Sequence, residues 1–427
     1  MSVVGRGKSE GFLSPDEFAS TVREGLAALP LDGKRVLVLI PDGTRTMPMP
    51  QMFAALERDL LPRVAALDYL VALGTHIPMT DSQLSRLVGR QVLDGRAGKS
   101  RIFNHKWDDP GTFVTLGTIP AAEIEELTGG RLKQDVPVAL NRMIRDYDHI
   151  VICGPVFPHE VVGFSGGTKY LFPGIAGPEI IHFTHWLGAL ISSYEIIGTR
   201  DTPVRAVVNR AARFVDRPLS LLALVVTHDG TAGLYCGDVL EAWTAAADLS
   251  ANRHIVWVEK PFRRVLAVMP PLYDDLWTAA KGMYKAEPAI ADGGEVIIYA
   301  PKLDEVSYVH GRLIDEVGYH CRDYFLKQWE SFKHFPGGIL AHSTHLKGKG
   351  SFDAASGVET PRIQVTLATG IPKERCLKIN LGYLDPSEVD PEEWQQRAEP
   401  DVLVIPRAGE MLYRVGRRPD INRGEDT

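Results

Sequence analysis

The run Arg35–Ile40 (RVLVLI) narrows the possible folds more than any other stretch of the chain. Every residue after the arginine is apolar, with none of the alternation of a strand that faces water on one side. A run of this kind belongs in a parallel sheet covered by helices on both faces. It ends at a polar turn, Pro41-Asp42-Gly43-Thr44-Arg45. A helical pattern is then expected over about 50–66, followed by a second strand over 69–73 that ends at Gly74-Thr75-His76. Thr80 and Asp81 open another helix. Strand, polar loop and helix in repetition predict an α/β fold, with mainly parallel sheets flanked by helices. In such sheets chemistry gathers beyond the carboxyl ends of the strands. Asp42, Arg45 and His76 stand there.

Further along, 136–145 is expected to be helical, and 149–153, 221–227 and 254–258 to be strands. The pattern restarts at Arg263–Arg264, with a strand at 265–269, a helix at 274–290 and a strand at 295–300. Strand 401–405 is expected to be the last. A chain of 427 residues is long enough for two domains, each with its own core. The boundary is placed between residues 1–263 and 264–427, with a frayed, charged tail from about 417.

Lys plus Arg number 47 against 54 for Asp plus Glu, a net charge of −7. That balance argues against nucleic acid as a partner, which would favour a basic face. The four cysteines, Cys153, Cys236, Cys321 and Cys376, include no C-x-x-C pair, so neither a disulfide scaffold nor a structural zinc site is expected. The first residues lack the apolar core of a secretory signal, and no apolar stretch approaches the roughly 18 residues that cross a bilayer. A cytoplasmic protein without membrane contact is the expectation.

The most unusual stretch is His159-Glu-Val-Val-Gly163-Phe-Ser165-Gly166-Gly167-Thr-Lys169-Tyr-Leu-Phe-Pro173-Gly174. It is not a phosphate-binding P-loop, because Lys169 is followed by Tyr170 instead of Ser or Thr. The glycine spacing also fails the dinucleotide-binding pattern. Glycines this dense still let a ligand approach the backbone and leave amides for an anion. A tight turn entering a helix is the simpler alternative. Lys169 lies among Phe164, Tyr170, Leu171 and Phe172. It is either a solvated surface charge or a partly desolvated amine, usable as a nucleophile.

His182 and His185, three apart on an expected helix, share one face and suit metal binding, or else pack structurally. His76 and His159 each follow a strand, and histidine is the side chain best suited to proton transfer near neutral pH. His105 reads as structural. Arg45 can grip a carboxylate with two hydrogen bonds, or pair with Asp42. Lys281 lies in the first helix of the second domain, where an exposed lysine is the commoner case.

Taken in order, Asp42-Gly-Thr-Arg45, Gly74-Thr-His76, His159 through Lys169, Pro173-Gly174 and His185 resemble the nickel-dependent lactate racemase family over nearly the whole chain. The resemblance implies an isomerase, a racemase or epimerase that inverts the C2 centre of a 2-hydroxy acid. It would do so by hydride transfer to and from a covalently bound nickel-pincer nucleotide, through a 2-keto acid intermediate. The resemblance makes residues 1–263 the cofactor-binding domain. Lys169 would carry the pyridinium ring through a thioamide, and His185 would be the protein ligand to nickel in a square-planar arrangement. His76 and His159 would be the acid/base pair. Arg45, Lys281 and Thr278 would face the substrate, and Asp42, Ser165, Gly166 and Gly167 would seat the cofactor. Proteins of cofactor biosynthesis would be transient partners. A substrate held by both Arg45 and Lys281 would imply domain closure.

Ile77, Thr278, Tyr170 and Phe172 depart from the family pattern at substrate contacts, which leaves the 2-hydroxy acid open among lactate, a longer-chain acid and a sugar acid. Two other readings compete: a metal-dependent hydrolase using His182 and His185 with a phosphate-binding glycine loop, and a non-catalytic carrier of the cofactor.

Overall fold

A computed structural model describes residues 2–397 and 399–418. Residues 419–427 of the expected frayed tail lie outside the described residues. The chain forms two compact units. The first comprises residues 1–191, 195–253 and 336–341, and the second 192–194, 254–335 and 342–427.

The first unit is built on an eight-stranded sheet. Its strands are β1 (Val4–Gly7), β2 (Arg35–Ile40), β3 (Ala66–Val71), β4 (Arg96–Ala97), β5 (Ser100–Asn104), β6 (His149–Pro155), β7 (Leu219–Thr227) and β8 (Gly230–Gly237). Their order across the sheet is β1-β8-β7-β6-β2-β3-β5-β4. The five central strands run parallel, and β1, β8 and β4 pair antiparallel at the edges. The apolar run does what its pattern requires. Leu37 and Leu39 enter one core, while Val36, Val38 and Ile40 enter the other.

The second core is covered by helices Pro15–Ala28, Met49–Asp59 and Asp81–Val88, through residues such as Leu26, Phe53 and Leu84. The first is covered by Pro178–Ile191, Pro203–Ala212 and Val239–His254, through Leu187, Val207 and Trp243. Local sequence starts these helices in the right places. Ser14 and Glu17 form a reciprocal cap ahead of Pro15, and Thr80 and Gln83 do the same ahead of Asp81.

The second unit holds a wholly parallel five-stranded sheet. Its strands are β9 (Phe262–Val268), β10 (Ile290–Ala300), β11 (Gln364–Thr369), β12 (Gly382–Tyr383) and β13 (Val402–Ile405), in the order β12-β11-β10-β9-β13.

Three local expectations change. Residues 136–145 are a strand, Val136–Asn141, ending in a short 3-10 turn; Pro137 favours an extended Val136, and pairing with a neighbouring strand overrides the helical pattern beyond it. The strand pairs antiparallel with Phe113–Ile119. The single helix over 274–290 is two short helices, Leu276–Ala279 and Lys281–Tyr284, and a turn at Glu287–Ala289. Gly282 lies where a Cβ would stand 2.5 Å from the Met269 sulfur, and Pro288 closes off any longer helix. The last strand is Leu412–Val415, which pairs in parallel with Ile255–Val258.

Candidate active site

Strand order fixes where a site can form. From β2 the chain steps outward to β3, whereas β7 lies on the far side of β6, so the winding direction reverses between the neighbours β2 and β6. A crevice opens beyond the strand ends at such a switch point. The loops leaving β2, β3 and β6 carry Asp42, Arg45, His76 and His159. The Gly74 amide donates to the Gly174 carbonyl at 2.9 Å, which ties the second loop to the glycine-rich segment.

His76 and Asp42 are bound directly, Nδ1 to Oδ2 at 2.5 Å. The other oxygen of Asp42 accepts from the Thr44 amide at 3.0 Å and the Thr44 hydroxyl at 2.6 Å. Burial would raise this carboxyl, but His76, Arg45 and Thr44 outweigh it and hold the group well below the usual carboxylate range. An ionised carboxylate can only accept, so His76 carries a proton on Nδ1, and in the neutral ring the lone pair is on Nε2. Asp42 therefore orients His76, a role the sequence did not reveal.

His159 has the opposite arrangement. It is buried on a two-residue strand, Pro158–His159, paired with Gly163–Phe164. Its Nδ1 accepts from the Val161 amide at 3.1 Å. A backbone N–H can only donate, so the neutral ring carries its proton on Nε2. The Glu160 carboxylate, 3.4 Å from Nδ1, lies beyond good hydrogen-bond length and acts as a nearby negative charge. Burial pushes the His159 pKa well down, with Lys169, Arg45 and His185 adding to the effect and Glu160 opposing it.

The glycine-rich loop is tightly held. Ser165 donates from its hydroxyl to the Pro155 carbonyl and accepts from the Phe157 amide, both at 2.9 Å. The Trp243 indole donates to the Ser165 carbonyl at 2.8 Å. Gly166 and Gly167 have φ of +76° and +58°, and a Cβ on Gly167 would lie 2.9 Å from the Trp243 ring. These positions therefore require glycine. Lys169 follows, half-buried, with its amine pushed down to about 7 by burial and by Arg45 and Arg205, against the pull of Glu160 and Asp42.

His185 sits on helix Pro178–Ile191. Its Nδ1 donates to the Ile181 carbonyl at 2.7 Å. Nε2 is left with its lone pair, as in a metal ligand whose second nitrogen is fixed by the backbone. Burial pushes His185 down to about 4, so it is neutral near pH 7. The Gly338 amide reaches the Nδ1 of His182 at 3.4 Å. Among the described residues, no group of three or more His, Cys, Asp or Glu side chains could hold a metal ion. Arg45 donates to the Thr44 hydroxyl at 2.9 Å, with its guanidinium 5.9 Å from the Phe157 ring centre.

Lys281 and Thr278 lie in the second unit, both buried. The Lys281 ammonium donates to the Thr278 carbonyl at 3.2 Å and stands 4.9 Å from the Tyr273 ring centre. The Thr278 hydroxyl is engaged with Asp275, which caps the helix. Of the four departures from the family pattern, Phe172 is a core residue with no exposed surface, so it cannot shape substrate contacts. Ile77 is 56% exposed. Sequence reading missed Glu160, Arg205 and Trp243. Only the adjacency of Glu160 to His159 could have signalled any of them.

The buried histidines set a pH dependence. His105, His149 and His185 fall to about 4 through burial, from an ordinary 6.5. As pH drops below 6.5 the unfolded chain takes up protons that the folded chain refuses, so stability falls between about 6.5 and 4. Lys169, at about 7 against 10.5, acts in the same sense at higher pH. Melting temperature is expected to decline steadily from pH 7 to 5. A flat profile over that range would contradict these assignments.

A family profile described as the lactate racemase N-terminal domain matches residues 20–198. The lactate racemase of Thermoanaerobacterium thermosaccharolyticum is 23% identical over 278 residues, which cover 64% of this chain and 61% of that protein. A crystal structure of a Thermotoga maritima protein is 31% identical with a TM-score of 0.87, covering 95% of this chain and 99% of that one. The apoprotein structure of the T. thermosaccharolyticum lactate racemase is 19% identical with a TM-score of 0.69, covering 96% of this chain and 94% of that one, a likeness of fold.

Proposed function

We propose that the chain, which matches the lactate racemase N-terminal domain over residues 20–198 and is 23–25% identical to two lactate racemases, inverts the C2 centre of a 2-hydroxy acid, by hydride transfer to and from a nickel-pincer nucleotide held on Lys169. The residues fit such a group. Lys169 offers an amine that burial brings to about 7, so that a large share is uncharged near neutral pH, and His185 offers one bare imidazole nitrogen. With no set of three metal-binding side chains among the described residues, a metal at His185 would take its remaining donors from a cofactor. Ser165, Gly166 and Gly167 would seat the nucleotide. When bound, the cofactor supplies a hydride acceptor for the C2–H bond, which no protein side chain offers.

The observation that carries this reading is the opposite protonation of the two histidines. His76, with its proton held on Nδ1 by Asp42, presents a base at Nε2. His159, with Nδ1 capped by Val161, presents a hydrogen-bond donor at Nε2–H. As the C2–H bond opens, His76 takes the hydroxyl proton and a transient 2-keto acid results. The His159 Nε2–H can hydrogen-bond the keto oxygen in the inverted geometry, and the proton held by His76 returns to the product hydroxyl, so neither ring is left as an imidazolate. Arg45 holds the carboxylate. A non-catalytic carrier would need neither histidine.

Loaded protein should convert one enantiomer of a short-chain or sugar-derived 2-hydroxy acid into the other, read by chiral chromatography. No inversion across such a panel would leave the carrier reading standing. His185→Ala should lower nickel per chain, measured by elemental analysis, without unfolding the protein. Equal nickel in the variant would remove His185 as the ligand.

A further inference from the structure

Helix Pro203–Ala212 turns Val204, Val207 and Val208 into the core and, between them, an arginine that is only 3% exposed. The guanidinium of Arg205 donates to the Phe164 carbonyl, and at 3.4 Å to both the Gly166 carbonyl and the Thr168 hydroxyl. Its central carbon stands 4.3 Å from the Trp243 ring centre. One turn further on, Asn209 accepts from the Thr168 hydroxyl at 2.6 Å. All the hydrogen-bond acceptors around Arg205 are neutral, and its Nε is buried with no acceptor. Among the described residues, no carboxylate forms an ion pair with it.

A buried cation without a counter-ion is costly to hold. A neutral amide could donate to the same carbonyls at less cost, so hydrogen bonding alone does not explain an arginine here. What the charge faces does explain it. Thr168 is followed by Lys169, and the charged or titratable groups acting on that amine are Arg45, Arg205, Glu160 and Asp42, with His159 and His185 also coupled to it. Two like charges in a poorly hydrated site disfavour each other's ionised form. Arg205 stays charged near neutral pH even though burial lowers it to about 9.

We propose that Arg205 is a positioning residue for Lys169: it grips the three residues Phe164, Gly166 and Thr168 that lead to the lysine, and places an unpaired buried cation behind the loop that presents the amine. Its charge adds to burial and to Arg45 in favouring the uncharged amine. This rests on the reading of Lys169 as the attachment point, and it adds the device that makes the lysine ready for attachment.

The test uses full-length protein from a host that lacks the cofactor. Acetic anhydride is applied across a pH series, and peptide mapping gives the acetylated fraction at Lys169. In this probe reaction the amine nitrogen bonds to one carbonyl carbon, acetate leaves and the amine proton goes to solvent. Wild-type protein should reach half-maximal labelling near the value of about 7. Arg205→Met should move that point up by about one pH unit and reduce labelling at pH 7 about fivefold. Arg205→Lys, which keeps the charge, should stay near the wild-type profile. A wild-type profile in a cooperatively melting Arg205→Met variant overturns the proposal. So does a Lys variant shifted to ordinary lysine values, a result that can be read even if the Met variant fails to fold. Absence of any nucleotide on Lys169 in cells would count against the cofactor reading alone and would leave these profiles unchanged.

Discussion

Replacing His76 or His159 by alanine is expected to lower inversion by about 10²–10⁴-fold while leaving cofactor loading and nickel content intact. The prediction follows from the opposed tautomers. His76 is held with its base at Nε2 by an ionised Asp42, and the Val161 amide holds His159 with Nε2–H as a donor toward the substrate oxygen. His76 bonds to Asp42 and His159 to the Val161 amide, and not to Lys169 or His185, so losing either should spare attachment. Asp42→Asn sharpens the test. An amide can donate to Nδ1 and so favour the wrong tautomer of His76, with an expected loss on the order of 10²-fold or more. His159→Asn keeps an acceptor near the Val161 amide and separates lost chemistry from lost packing. Chiral chromatography gives the rates, and intact mass gives the loading. Full activity in either histidine variant would end the two-histidine account.

Lys169→Ala is expected to abolish the covalent adduct altogether, and Lys169→Arg to do the same despite keeping a cation. Arginine stays protonated and offers no nucleophilic nitrogen. In wild type, loading in a reconstituted system should rise with pH through about 7, where the amine loses its proton. The sign follows from burial and the neighbouring cations, all of which favour the uncharged form. A retained adduct in either variant, located on another residue, would show that the attachment point is wrong.

Much of the site was readable because its parts are local. The apolar run at Arg35–Ile40 requires a strand covered on both faces, and the polar turns after it lie where α/β sheets gather function. The glycines before Lys169 mark a backbone that no other residue could follow. What could not be read is tertiary. Asp42 and His76 are 34 positions apart, and nothing in either loop announces their pairing. Arg205 sits in an ordinary amphipathic helix, PVRAVVNRAA, and only the fold brings it against the glycine-rich loop. Residues 336–341 return to the first unit without a compositional signal. At Val136–Asn141, strand pairing with Phe113–Ile119 and Pro137 override an apparent helical period.

The most direct test of the central claim is the intact denatured mass of the full chain, made in a host that synthesises the cofactor, with peptide mapping of any adduct. The account predicts a nucleotide-sized addition located on Lys169. An unmodified chain from a host proven to load a known lactate racemase would contradict it.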